Sequence, residues 1–438
     1  MKKLLLLFLT LIMSVSMAFA AGSQDDAAGQ SEGTVLEIAV FEGGYGRAYW
    51  DAVATAFEEK NPGVTVNVTA NPEIGDIIRP NILAGNPPDF IYMSTSNNSG
   101  VAQALIKDRA LVDITDVIDG LRERILPGFL DNSLCQPYGD GKVYLAPMYY
   151  SAMGLWYNKN FFESNGLTAP VTWDDFFALG EKAKQLDRSL YTYQGIYPSY
   201  NESLIYPAIA AATGLEGFTD CANYEAGAWT DPAIRRVLDN IARIGIDEYL
   251  MEGTVALDHT QAQSEWLLGN ALLHPNGAWV EGEMADAPRE DGFEFGFCAP
   301  PVLDANEDKY VFSTFEEIYI PAAARNVELA KKFLAFQYSY EAIELNAKLA
   351  KGVPPVVGAA EFLKGTVSPA TYESYQIFTK GYQPLLGQPF GVVAETSLVP
   401  RDEFFNQLGD IMTGKRSVDQ WIAHTEEVSE QVKDHLVK

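Results

Sequence analysis

Between residues 142 and 167 the chain reads KVYLAPMYYSAMGLWYNKNFFESNGL, which sets Tyr144, Tyr149, Tyr150, Trp156 and Tyr157 within one short stretch around Pro147. Rings this dense serve one of two ends: the core of a strand buried on both faces, or flat apolar surfaces that receive a ligand. The other side chains with reactive or ligating atoms narrow the choice. None of His259, His274, His424 and His435 has metal-ligand spacing with a cysteine or a second histidine, so no metal site is expected. Cys135, Cys221 and Cys298 are too few and too far apart for a disulfide framework, although one bridge is open to them in an oxidising compartment. Gly43, Gly44 and Gly46 do not form G-x-G-x-x-G, and Glu42 beside them opposes a nucleotide phosphate, so no cofactor is expected. G-x-S-x-G, H-E-x-x-H and Cys/His arrangements are absent. With 59 acidic residues some carboxylate pair suited to glycoside hydrolysis can always be nominated, so the pattern singles out no catalytic residue. The chemistry that remains is binding: fixed donors and acceptors for polar groups, aromatic faces for apolar ones.

Charge and chain ends limit the partners. The formal net charge is −28 over 438 residues, which argues against nucleic acid and against an anionic membrane surface. Met1-Lys2-Lys3, an apolar run from Leu4 to about Met13 and the ending Ala18-Phe19-Ala20 have the form of a secretory signal peptide over 1–20. No cysteine follows Ala20, so a lipid-anchored product is not expected, and the location expected is the periplasm. Residues 21–33, AGSQDDAAGQSEG, read as a disordered tether.

The elements that position the rings follow from periodicity. TVLEIAVF (34–41) suits a strand buried on both faces. EGGYG is a turn, and Trp50, Val53, Ala54 and Phe57 then fall on one face of a helix. NPG stops that helix, and Val64, Val66 and Val68 alternate as in a strand. A second helical stretch leads to a strand near Phe90 to Met93 and the polar loop STSNN. This β-α-β-α-β order predicts a doubly wound open sheet whose ligand lies beyond the strand ends, at EGGYG (42–46) and STSNN (94–98). Thr172 with Asp175, and Ser417 with Gln420, read as capping boxes opening later helices. LLGNALLHPNGAW (267–279) reads as a turn, a short strand and a second turn, and FGFCAPPV as a strand. STFEEIYIPAAARNVELAKKFLAFQYS reads as a strand and a helix.

Several of these segments, in order, resemble one family. AFEEKNPGVTVNV, ILAGNPPDFIYM, ALVDITDVID, the tyrosine-rich stretch, LLGNALLHPNGAW, NVELAKKFLAFQYS, KGVPPVVG and TGKRSVDQWI are similar to segments of solute-binding family 1, the extracellular, maltose-binding-protein-like sugar receptors of ABC importers. The resemblance implies an α/β, two-lobed Venus-flytrap fold with a sheet in each lobe. It places the first lobe at 34–147 and 310–352, the second at 148–309 and 353–438, and the ligand cleft between them. It implies a carbohydrate ligand, a membrane permease as partner, capture by lobe closure without catalysis, and a monomer. A polyamine, iron or another small solute remains open as cargo, with the scarcity of histidine opposing iron; a secreted glycoside hydrolase is the remaining alternative.

The same resemblance nominates the contacts. Trp279, ending NGAW, matches the tryptophan that stacks on sugar, and Tyr45 lies in the first strand-to-helix turn. Ser96, Asn97 and Asn98 match a loop that touches hydroxyls, and Tyr149, Tyr150 and Ser151 lie at the crossing between lobes. Glu316 and its neighbour Glu317 begin a strand near the second crossing, and Phe390 and Phe404 fall where the family adds a further aromatic face. Trp156 and Tyr157 are expected in the second lobe's core, with core also favoured for Tyr144. Ser151, Gly44 and Tyr45 replace the acidic hinge contact and the aspartate and lysine of the maltose-binding pattern, which makes maltose itself a poor expectation.

Overall fold

The computed structural model describes residues 33–95, 99–387, 390–391, 393 and 396–436. The expected signal peptide and all of the expected tether but Gly33 lie outside these residues, as do Ser96, Asn97 and Asn98. No helix among the described residues is long and apolar enough to cross a membrane.

The first strands form where alternation and β-branching favour them: β1 (Thr34–Phe41), β2 (Val64–Asn71) and β3 (Phe90–Tyr92). β2 and β3 flank β1, both parallel to it. The helix Ala48–Lys60 links β1 to β2 and buries Trp50, Val53, Ala54 and Phe57, the face read from periodicity. β1 is buried on both sides, with Leu36, Ile38 and Val40 in one cluster and Ala39 in another with Ile74, Ile91 and Leu105.

Two strands carry the chain between lobes. β4 (Leu145–Ala152) reaches β5 (Gly154–Asn158) after a single residue, Met153. In the second lobe β6 (Ser189–Tyr191), β7 (Ala271–Asn276), β5 and β8 (Phe295–Cys298) form a four-stranded sheet in the order β6-β7-β5-β8. β6 runs parallel to β7, and β5 runs antiparallel to both β7 and β8. The chain returns through β9 (Tyr310–Tyr319), which begins six residues before Glu316, where the sequence suggested a strand start. β9 pairs antiparallel with β4 along its length and with β3 at Ile318 and Tyr319, and β10 (Gln383–Leu386) adds in parallel at its start. The first sheet is therefore β10-β9-β3-β1-β2 with β4 also on β9.

Local chemistry sets the helix ends. Both expected capping boxes form, at Thr172/Asp175 and Ser417/Gln420, and Asp258/Gln261 makes a third. Each cap contributes about 1 kcal/mol. The second lobe's core gathers Leu155, Phe176, Tyr191, Leu238, Phe404 and Trp421. The stretch 353–377, grouped by sequence with the second lobe, places Val353, Leu363 and Tyr375 in the cluster that holds Leu36 and Trp50, and that cluster also takes in Trp156 and Phe297.

The ring-dense stretch is mostly core. Every residue of β4 is buried. Trp156 is buried with its indole N–H donating to the Asn276 carbonyl at 2.9 Å, while Tyr157 is half-buried against Phe162. Tyr144 is buried with its hydroxyl on Asp140. The three cysteines are free thiols, Cys135 and Cys221 buried and Cys298 partly so.

Candidate functional site

A cavity of about 970 Å³ lies between the lobes. That volume is at the upper end of the range of small-molecule pockets, roughly 300–1,000 Å³. Strand ends supply much of its wall. Gly44, Tyr45 and Gly46 follow β1, Thr95 follows β3, and Trp279 follows β7. Glu316 and Glu317 reach it from β9, and Tyr375 from the helix Pro369–Gln376.

Trp279 depends on its glycine. A Cβ on Gly277 would lie 2.1 Å from the indole ring, so residue 277 must lack a side chain for the ring to fold back over its own turn. Gly44 brings the facing lobe close: a Cβ built there stands 4.0 Å from the Trp279 Cβ. Tyr45 is held from behind. Its ring lies flat on Tyr149 with centroids 3.9 Å apart and planes 10° from parallel. Gly352 covers that stack, since a Cβ there would meet the Tyr45 ring at 2.6 Å and the Tyr149 ring at 3.0 Å.

Three of the expected contacts, Tyr45, Trp279 and Glu316, thus come together on one cavity. Ser96 and Asn97 fall outside the described residues, although their neighbours Ser94 and Thr95 line the wall. Tyr149, Tyr150 and Ser151 do not line it. They sit one layer behind because β4 is covered on both faces: Tyr149 by Tyr45, and Tyr150 by Phe129, Tyr375 and Phe378. The Tyr149 hydroxyl donates to Asn346 Oδ1 at 2.6 Å, and Ser151 Oγ accepts the Ala278 N–H at 2.9 Å. Ser151 therefore ties the crossing strand to the turn that carries Trp279. Phe404 is fully buried in the second core with Phe390 packed on it, and neither lines the cavity.

The carboxyl groups were less legible. Glu202, Glu281 and Glu283 also line the wall. Glu202 is paired with Arg401, and Glu281 accepts from the Ser368 hydroxyl. Glu283 accepts from Gln263 at 2.9 Å and lies 2.8 Å from the His259 ring. Burial pushes the Glu316 carboxyl up to about 7 against a hydrogen bond from Tyr92, and Glu317 up to about 8 against bonds from the Thr95 N–H and hydroxyl.

These shifts have a sign. Each carboxyl holds its proton in the folded state at a pH where the unfolded chain has released it, so ligand-free stability falls as pH rises from the ordinary carboxyl range through about 8. Glu317→Gln is expected to flatten that fall by on the order of 3 kcal/mol between pH ~5 and pH ~8. Urea melts across that range check it; a variant with the parent's slope would show that Glu317 titrates as it does unfolded.

The description of the matching family model is "Bacterial extracellular solute-binding protein", and the match covers residues 43–344. The diacetylchitobiose binding protein NgcE of Streptomyces coelicolor is 27% identical over 360 residues, covering 80% of this chain and 74% of that protein. The multiple sugar-binding protein of Streptococcus mutans is 22% identical over 337 residues, covering 76% and 77%. Among solved structures, the apo form of RafE from Streptococcus pneumoniae superposes with a TM-score of 0.74 at 18% identity, over 92% of this chain and 99% of that one. Two lobes, crossing strands, an interlobe cavity and the family match agree: the chain belongs to the bacterial extracellular solute-binding proteins.

Proposed function

We propose that the protein is an exported carbohydrate receptor of an ABC importer, holding a mono- or oligosaccharide in the interlobe cavity and presenting it to a membrane permease. The observation that carries this reading is the pairing across one cavity of Trp279 from the second lobe with Tyr45 from the first. An aromatic face takes the C–H side of a sugar ring, and the carboxyl groups of the wall accept its hydroxyls. The names of the relatives, binders of diacetylchitobiose and of multiple sugars, support the same class. The lobes in this reading are 34–147 with 310–352 and 148–309 with 353–438, the stretch 353–377 and β10 of the latter packing back on the first lobe, and the receptor works as a monomer in the periplasm after loss of residues 1–20. Ser96 and Asn97 are further ligand contacts in this reading, while Tyr149, Tyr150 and Ser151 support the first wall from behind.

Capture follows from closure. A ligand that touches both Tyr45 and Trp279 binds the closed form better than the open one, and only that difference can shift the population. β4 and β9 are the strands about which the lobes would move, and no bond of the ligand is made or broken.

A thermal-shift screen of the refolded protein against mono- and oligosaccharides tests the reading. A sugar at 100 times its dissociation constant should add about 2.7 kcal/mol. Stabilisation by a sugar series, without release from chromogenic glycosides, is the expected result. No stabilisation by any sugar, or turnover of a glycoside, would overturn it.

A further inference from the structure

The corner of the cavity around Glu316 has an unusual balance of donors and charge. Glu316 and Glu317 are consecutive on β9, and the groups acting on them are hydrogen-bond donors and each other; no cation of the described residues is among them. The positive side chains on the described wall are Lys351 and Arg401, and Arg401 is already bound to Glu202. A carboxyl held in protein without a counter-charge is costly to ionise, and a cation arriving beside it removes that cost.

Aromatic rings gather around the same carboxyl. Tyr92 donates its hydroxyl to Glu316, and its ring meets Tyr149 edge-on at 5.5 Å. Tyr45 lies on Tyr149, and Glu316 acts electrostatically on both Tyr45 and Tyr375. Two of the hydroxyl protons here are already spent, that of Tyr92 on Glu316 and that of Tyr149 on Asn346. What this corner turns to the cavity is the Glu316 carboxyl beside the Tyr45 and Tyr375 rings. A neutral hydroxyl is served best by a donor and an acceptor together. An ammonium group brings three N–H donors and a positive charge, and is served by acceptors, a carboxylate and aromatic faces.

We propose that the ligand carries a primary ammonium group, as a sugar with a free amine does, and that this group seats on Glu316 between Tyr45 and Tyr375, with Tyr92 holding the carboxyl from behind. The inference rests on the carbohydrate reading for the rest of the ligand: Trp279, across the cavity, takes a ring face, and the ammonium end fixes which sugar is chosen. A linear polyamine shares the ammonium but offers Trp279 no ring.

Isothermal titration of the purified protein with four probes tests it: a glucosamine trimer, an N-acetylglucosamine trimer, a glucose trimer and spermidine. The expected result is that the glucosamine trimer binds roughly tenfold or more tighter than either neutral trimer, about 1.4 kcal/mol or more. That comparison needs no variant. In Glu316→Gln, the ratio of the glucosamine to the glucose affinity should fall to about one. Equal or tighter binding of a neutral trimer by the parent protein overturns the inference and leaves the carbohydrate reading standing. Binding of spermidine alone keeps an ammonium site and overturns the carbohydrate reading. Binding of none of the four overturns the inference.

Discussion

Arg401→Met should cost the fold on the order of 3–5 kcal/mol, the usual loss when one partner of a buried ion pair is removed. The loss falls on Glu202. Its side chain is 2% exposed, whereas that of Arg401 is 41% exposed, so the carboxyl depends on the guanidinium far more than the reverse. Arg401 holds it by two bonds, one from Nε and one from Nη2 at 2.7 Å, and the Tyr206 hydroxyl adds a third at 3.0 Å. Burial already raises the Glu202 pKa against the pull of Arg401. Without the guanidinium, the group must take up a proton or stay charged, almost wholly buried, with only the Tyr206 hydroxyl on it. The double variant Arg401→Met with Glu202→Gln should recover most of the loss, because an uncharged pair of similar volume leaves no charge behind. Urea denaturation of the parent, the single and the double variant measures both. A single-variant loss under about 1 kcal/mol would mean that water reaches Glu202.

The second large effect is on binding. Trp279→Ala should weaken the sugar found by the screen about 30-fold or more, a loss of at least ~2 kcal/mol, as expected of a central aromatic anchor. The same change should leave the melting temperature of the ligand-free protein nearly unaltered. The indole is only half-buried, and Trp279 starts the short helix Val280–Glu283 without a side-chain cap. Calorimetry of ligand binding beside a ligand-free melt separates the two quantities. A threefold change or less would remove Trp279 from the binding surface, and a large drop in the ligand-free melt would make it a core residue.

Much of the architecture could be read from periodicity because the elements concerned are local. The helix after β1 buries the face its spacing predicts, and the boxes at Thr172 and Ser417 close within three residues. Tyr45 and Trp279 were legible for a related reason. Open α/β sheets bind beyond their strand ends, and both residues stand in the turns that follow strands. What escaped was set by distant parts of the chain. Nothing near Tyr149 announces that Tyr45 and Gly352 will cover it, and Tyr150 is capped by Tyr375, 225 residues away. Glu202 and Arg401 are 199 residues apart, so neither signals its partner. β4 illustrates the limit: its composition fits a cleft floor or a core equally, and the layer lying over it decides.

The position of β9 also bears on how the molecule is made. It pairs with β3, β4 and β10 at once, yet it follows β3 by more than two hundred residues. Until Ile318 and Tyr319 arrive, the β3 edge is an unpaired row of donors and acceptors in the middle of a half-built sheet. Closing so long a loop costs entropy before any contact repays it, so the first lobe is a slow folder by topology. The second lobe's sheet, drawn wholly from the segment between β4 and β9, can assemble earlier. The chain therefore matures from its middle outward, and β3 waits longest for its second neighbour.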